Sequence, residues 1–474
     1  MSTVITPPLT SFVVPYPDFA SRLANAIVYA NSSEYPAASS LKIEQRYDSD
    51  NNTFVPSVST ILIYPQMTLL TKSIENTSST SFGDTGSLDA FGRLRVSTIE
   101  ALEDSKQIFD NLPLVYDTFL SGATTSRWVS GDSCTILTTA SAGDFGIRQT
   151  FEHFNYSPGK SQLIFCTGVF SSQTNIIKRA GYFTSGVISP YSDVEGYYFE
   201  NNSGTLSFNI ANPNGSTPSQ NITRSNWNVD KLDGTGPSGV VLDISKTQII
   251  VIDFEWLGVG RVRMGFVIDG KIYYCHYFNN ANNNTNVYLR MPNLPIRYEI
   301  RQTGPGSGSL TQICASVNSE NSGLGIGSPL AVNTGFAATT FTKNQNNVLF
   351  AVKPTLKGSN ISIDSLNILT DSNINIRYEV VVNPTFSSPL SFTSLASAAL
   401  LSASGNGSIT SSGGYPIYVG YTNQTGASLV KIPADVLRFG FKIDGTADTL
   451  AINVYPFGAN NAIIYGSLNL RLLQ

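Results

Sequence analysis

Asp253 and Glu255, in the run Val251-Ile-Asp-Phe-Glu-Trp256, are the side chains of this sequence best spaced for chemistry. Residues i and i+2 of an extended strand project from one face. Two carboxyls about 5–5.5 Å apart on one face are what retaining glycoside hydrolysis requires. Arg261 and Arg263 follow on the next apolar run, and alternation puts them on one face as well. The four side chains therefore also read as a cross-strand ionic arrangement that stabilises a polar face or a subunit contact. Asp89, Arg93 and Arg95, within Ser87-Leu-Asp-Ala-Phe-Gly-Arg-Leu-Arg-Val-Ser97, offer the same chemistry. Ile252, Phe254 and Trp256 alternate with the carboxylates and face the opposite layer.

The run resembles the Glu-x-Asp-x-Glu strand of laminarinase- and lichenase-type glycoside hydrolases, which are concanavalin-like sandwiches. In that family the first Glu is the nucleophile, the Asp is auxiliary and the last Glu is the acid/base. The resemblance implies the second role for Asp253 and the third for Glu255. The nucleophile position holds Val251, which cannot form a glycosyl ester, so no catalytic residue is assigned. Gly234-Thr-Gly-Pro-Ser-Gly239 spells the dinucleotide fingerprint, but Pro237 interrupts it. The strand-like Val240-Val-Leu-Asp-Ile244 follows where a helix is needed. The two histidines, His153 and His276, have no second ligand at metal spacing, and Cys275 and His276 point to opposite faces of a strand. No metal and no cofactor is expected. Tyr191, Tyr197 and Trp227 are the candidates for stacking on a sugar.

What must position these residues is a set of strands. Charged residues make up 13% of the 474-residue chain, and 22 Tyr and 26 Phe accompany many β-branched residues and abundant Ser, Thr and Asn. That balance favours an all-β, multi-domain β-sandwich, jelly-roll or concanavalin-like, with few short helices. A net charge of −4 without any basic run offers no electrostatic footprint for nucleic acid. No stretch approaches the roughly 20 apolar residues of a membrane span. The first residues, Met1-Ser-Thr-Val-Ile-Thr-Pro-Pro8, lack a basic n-region and an apolar h-region, so no secretory signal is read there. The cysteines at 134, 166, 275 and 314 are far apart in apolar runs and read as buried free thiols.

Three regions emerge. Residues 1–80 hold the best helix candidate, Asp18–Tyr29, strand-like runs at Ser40–Tyr47 and Ser59–Tyr64, and a polar linker at Glu75–Ser81. Residues 84–322 read as one large β-sandwich, with strands at Gly146–Glu152, Gln162–Phe170, Gly196–Glu200, Thr205–Ile210, Gln248–Trp256, Val262–Ile268, Lys271–Phe278, Asn286–Met291 and Ile296–Gln302. Asp269-Gly270 is the strongest hairpin turn, suited to type I′. Residues 323–474 read as a C-terminal β domain, with a short helix candidate at Leu395–Leu401. Arg263-Met-Gly-Phe-Val-Ile-Asp-Gly270 is echoed by Arg438-Phe-Gly-Phe-Lys-Ile-Asp-Gly445.

Five blocks carry a second resemblance: Ser87–Ser97; Ser225-Asn-Trp-Asn-Val-Asp-Lys-Leu-Asp-Gly-Thr-Gly-Pro-Ser-Gly239; Tyr156-Ser-Pro-Gly-Lys-Ser-Gln162; Arg290–Ile300; and Gln312–Val317. Together they resemble a module of virion structural proteins from tailed bacteriophages and large double-stranded DNA viruses, over residues 84–322, about half of the chain. The resemblance implies a non-enzymatic particle component (capsid surface, minor capsid, tail or fibre) in which residues 1–80 serve anchoring or assembly. Its partners would be other virion proteins and copies of itself, and it would be made in the cytoplasm of an infected host cell. The alternatives are a lectin-like module that attaches to a host surface glycan and, less favoured, a glycoside hydrolase.

Overall fold

The structure is a computed structural model that describes residues 38–48, 53–62, 69–74, 77–82, 88–90, 93, 95, 98–186, 192–320, 328–335, 338–370, 374–395, 400–422, 428–430 and 440–473. The chain divides into two compact units, Met1–Thr85 and Gly86–Gln474. In the first, β1 (Ala38–Asp48) pairs antiparallel with β2 (Thr53–Leu62), and β3 (Leu69–Ile74) with β4 (Thr77–Phe82). The helix candidate Asp18–Tyr29 lies outside the described residues. The expected linker at Glu75–Ser81 is instead largely strand β4. Leu69–Ile74 supplies its partner along the whole length of the strand.

The second unit begins with fifteen strands: β5 (Ile99–Lys106), β6 (Tyr116–Ser121), β7 (Thr125–Val129), β8 (Cys134–Thr139), β9 (Phe145–Thr150), β10 (Gln162–Val169), β11 (Ile176–Thr184), β12 (Glu195–Asn202), β13 (Thr205–Ala211), β14 (Gln220–Thr223), β15 (Thr247–Phe254), β16 (Val262–Ile268), β17 (Lys271–Phe278), β18 (Ile296–Gln302) and β19 (Gly308–Glu320). They form an eight-stranded sheet in the order β17-β16-β15-β10-β19-β8-β7, with β5 also on β19, and a seven-stranded sheet in the order β14-β13-β12-β11-β18-β9-β6. Alternation decides the packing. Ile164 and Cys166 of β10, Ile250, Ile252 and Phe254 of β15, and Met264 and Phe266 of β16 point into one core with Tyr182, Tyr197, Phe199 and Tyr298 of the other sheet. Among the described residues the helical elements are two three-residue 3-10 turns, Ser130–Asp132 and Arg224–Asn226.

The expected hairpin between β16 and β17 is present. Asp269 and Gly270 both have positive φ, 49° and 74°, as a type I′ turn requires. The strand expected at Asn286–Met291 is not formed. Those residues are irregular, and Tyr288 is drawn into the core, where its hydroxyl meets that of Tyr197 at 2.9 Å.

The remaining strands are β20 (Ser328–Asn333), β21 (Thr340–Phe341), β22 (Asn347–Pro354), β23 (Asn360–Thr370), β24 (Asn375–Val382), β25 (Thr385–Phe386), β26 (Thr393–Ser394), β27 (Leu400–Ser404), β28 (Ser411–Ser412), β29 (Tyr415–Thr422), β30 (Ser428–Val430), β31 (Leu450–Phe457) and β32 (Ala462–Leu473). A five-stranded sheet, β20-β32-β23-β30 with β21 on β32, and a six-stranded sheet, β26-β27-β22-β31-β24-β29, enclose a second core. The multi-domain all-β sandwich is thus the fold. Leu400 and Leu401, expected to end a short helix, open strand β27, where β22 pairs with them. The echo of Arg263–Gly270 is one of letters. Gly440–Gly445 is a turn closed by the Phe441–Ala447 bridge, whereas Arg263–Ile268 lies in strand β16.

Candidate functional site

Asp253 sits near the end of β15, directly opposite Arg263 on β16 and Leu163 on β10. Because Ile252 and Phe254 are held in the core, Asp253 must project from the outer face of the eight-stranded sheet. That face is covered by the segment around Leu88–Arg95, and Asp253 is fully buried. Its Oδ2 accepts hydrogen bonds from Arg95 Nη2 at 2.6 Å, Arg263 Nη2 at 2.5 Å and the Tyr274 hydroxyl at 2.6 Å; its Oδ1 accepts from the Ser161 hydroxyl at 2.9 Å. Burial pushes the carboxyl pKa up, but Arg263, Arg95 and the Tyr274 hydroxyl outweigh it and hold the pKa below the usual carboxylate range. The Arg263 guanidinium also lies over the Tyr274 ring, 4.4 Å from its centroid, and donates to the Leu88 carbonyl.

Glu255 shares that face and is also buried. Its Oε1 accepts from Arg93 Nη2 at 2.7 Å, while Oε2 is buried with no hydrogen-bond partner. Burial pushes its pKa up to about 8 against the pull of Arg93, and the neighbouring Asp89 adds to the rise. Arg93 is held from the other side by Asp89 Oδ2 at 2.6 Å, and the two residues close a turn through Asp89 N–H to Arg93 O and Arg93 N–H to Asp89 Oδ1. Arg95 additionally reaches Glu320 Oε1 at 3.3 Å and Ser161 Oγ at 3.2 Å. Arg261 donates to the Ala90 carbonyl at 3.0 Å and lies over the Tyr277 ring. All seven charged residues singled out in the sequence, from two blocks about 160 positions apart, thus meet on one sheet face. Ser87, Phe91, Gly92, Leu94, Val96 and Ser97 of the first block lie outside the described residues.

The block at 225–239 forms a second, separate construction. Asp230 accepts from Leu232 N–H at 2.8 Å and Ser238 N–H at 2.8 Å, pinning both ends of the glycine-rich loop, and Arg224 donates to the carbonyls of Lys231 and Leu232. Asp230 fills the space that a Cβ on Gly236 would need. Of the sugar-stacking candidates, Trp227 is buried against Phe208 and Phe266, and Tyr197 is fully enclosed between the sheets. Neither ring has a free face to offer a glycan, because core packing claims both. Tyr191 lies outside the described residues. His153 is buried beside Phe441, and His276 packs on Phe278. Cys134, Cys166, Cys275 and Cys314 are free thiols, the first three buried.

A comparable ionic file, not singled out from the sequence, lies on the outer face of the seven-stranded sheet. Arg179 of β11 meets Glu200 of β12 at 2.7 Å and Glu299 of β18 at 3.3 Å; Arg297 pairs with Glu299 and donates to Gln149 of β9 at 2.7 Å. Arg297-Tyr-Glu299 has the same i, i+2 spacing as Asp253-Phe-Glu255, which was the available signal. Among the described residues no cluster of three or more His, Cys, Asp or Glu side chains is arranged to hold a metal.

No protein-family model matches this chain, and no curated protein matches it. Among solved structures, the catalytic domain of an endo-1,3-β-glucanase (laminarinase) from Thermotoga petrophila aligns at 11% identity, over 48% of this chain and 100% of its own, with a TM-score of 0.32. The exoplasmic/lumenal domain of VIP36 in its Ca2+/Man3GlcNAc-bound form aligns at 10% identity, over 47% of this chain and 91% of its own, with a TM-score of 0.31. A protein of unknown function from Shewanella oneidensis, SO2946, aligns at 9% identity, over 50% of this chain and 91% of its own, with a TM-score of 0.31. At these scores the likenesses bear on neither ligand nor reaction.

Proposed function

We propose that this chain is a non-enzymatic structural component of a virus particle. The observation that carries the reading is the use made of Asp253 and Glu255. Each is bound by an arginine from the Leu88–Arg95 segment, and Asp253 receives donors on both oxygens. Carboxylates covered and bound in this way are closed to a substrate, and Val251, at the position a nucleophile would take, is itself buried. The first of the blocks that resemble virion proteins therefore serves as a clamp: Arg93 and Arg95 of the Leu88–Arg95 segment bind the sheet, Asp253 supplies the charge that holds Arg95, and Glu255 supplies the acceptor that holds Arg93. A scaffold locked by buried ion pairs suits a protein repeated in a symmetric shell, where geometry must be held within each copy.

The test is the composition of particles purified from cells infected with the virus that encodes the chain. Stoichiometric copies by quantitative mass spectrometry are expected. Absence from particles, with the protein free in infected cells, would overturn the proposal. Hydrolysis of β-glucan by the purified chain that is lost in Glu255→Gln would replace it with the hydrolase reading.

A further inference from the structure

Strand β29 is an edge strand of the six-stranded sheet. It pairs with β24 on one side, and among the described residues no strand pairs with the other. Among the described residues, the other edges of the two sandwiches are short, charged, interrupted or covered. β14, β26 and β30 have four, two and three residues, β6 and β7 carry Asp117 and Arg127, and β20 is broken early by Pro329. The edge of β17 is met by the Val229 and Asp230 N–H groups at the Cys275 carbonyl. β29 has eight residues, Tyr-Pro-Ile-Tyr-Val-Gly-Tyr-Thr, and not one is charged. Pro416 removes one donor near its start and the register slips by one residue at Ile417, leaving Tyr418–Thr422 as the regular run of backbone groups. Tyr415, Val419 and Tyr421 are exposed at 55%, 47% and 68%. Soluble monomers blunt such edges with charges, bulges or short length; here the bulge and the proline lie at one end, and among the described residues no strand covers the outer side of the uncharged, aromatic run Tyr418–Thr422.

We propose that β29 is the contact by which two copies of this chain join, strand to strand and antiparallel, merging their six-stranded sheets into one. An open row of N–H and C=O groups selects an extended strand as its occupant. Charge selects the second copy. A strand that faces itself across a two-fold axis sets every charge near the axis against its like. β29 carries none, and on β24 behind it Arg377 and Glu379 neutralise each other at 2.8 Å. This contact is independent of the virion reading, since it rests on the edge alone.

Sedimentation velocity of the full chain, over a concentration series reaching about 50 µM, reads the association directly. Twice the monomer mass is expected. Val419→Lys, which puts two lysines close across the axis, raises the dimer dissociation constant by about tenfold or more. Its thermal melt stays that of the parent at concentrations where both are monomeric. As a second readout, Ile417→Cys, Val419→Cys and Tyr421→Cys are oxidised one at a time, and the position nearest the axis forms an interchain disulfide. A chain that stays monomeric throughout the series overturns the proposal. So does a dimer that is insensitive to Val419→Lys and gives no crosslink at any of the three positions. A monomer that instead captures an added extended peptide or a glycan at this edge overturns the self-pairing.

Discussion

At the scale of single residues, Asp253 and Glu255 lie two positions apart on one face and behave in opposite ways. Asp253 has an arginine on either side, a tyrosine and a serine; Glu255 has one arginine and an oxygen with no partner. Asp253→Asn leaves Arg263 and Arg95 facing each other without their counter-charge and should cost about 3–5 kcal/mol in denaturant unfolding. Glu255→Gln should cost little at neutral pH, because a carboxyl whose pKa is about 8 is largely protonated there. The sign of the pH dependence follows from that raised value. The folded chain keeps a proton that the unfolded chain releases near pH 4.5, so this contribution is complete below that pH and is lost as pH rises through about 8. Thermal melts of Glu255→Gln and wild type, compared at several pH values, should therefore show the variant gaining on wild type toward alkaline pH. A difference that is flat with pH would refute the assignment.

At the scale of elements, the side chains of Arg93 and Arg95 tie the Leu88–Arg95 segment to the sheet. Among its described residues the turn from Asp89 to Arg93 is closed by backbone and Leu88 forms a backbone bridge, while Arg95 reaches across to Asp253, Ser161 and Glu320. Strands β15 and β16 beneath it are locked by a ladder and a shared core. Removing Arg95 should thus free the segment and leave the sandwich standing. In hydrogen exchange, Arg95→Ala is expected to speed exchange of the Asp89 and Arg93 amides by at least an order of magnitude, with the amides of Ile250 and Ile252 protected as before. Equal acceleration in both places would mean that the arginine supports the sheet rather than the segment.

At the scale of the whole molecule, the unit from Gly86 to Gln474 contains two cores that meet through particular residues. Ile443 N–H donates to Asp117 Oδ2 at 2.8 Å, Asn293 Nδ2 to the Gly358 carbonyl at 3.0 Å, and Lys357 Nζ to the Ser185 carbonyl at 2.8 Å. His153 is buried in this junction beside Phe441, with both ring nitrogens unpartnered; burial lowers its pKa to about 3, and the charge of Lys357 adds to the fall. A histidine kept neutral in the fold contributes its full share above its ordinary value of 6.5, and that share is lost as pH falls toward 3. His153→Leu, which removes the titration while keeping the volume, should raise the melting temperature at pH 5, by the equivalent of roughly 2 kcal/mol. No such gain should remain above pH 7. An unchanged acid limb in the variant would show that His153 is charged in the folded chain.

Much of this architecture is legible in the order of the amino acids. Alternation in Val251–Trp256 and Val262–Ile268 assigns the inward and outward faces of β15 and β16, because a period of two leaves no other way to bury Ile252 and Phe254. Asp-Gly names its own turn, and sparse charge among Ser, Thr, Tyr and Phe names the all-β class. Less local features escape. Tyr197 and Trp227 carry the same letters whether they line a core or a binding face, and only the opposing sheet settles which. Asn286–Met291 has strand-like letters but pairs with no neighbouring strand, so it forms an irregular plug instead. The sequence by itself thus determined the all-β class and, for alternating strands such as β15 and β16, which face is polar, since those are consequences of backbone geometry. Tertiary structure alone decided that Asp253 and Glu255 answer to Arg93 and Arg95, because ionic partners so far apart in the chain are chosen by how strands are ordered in the sheet.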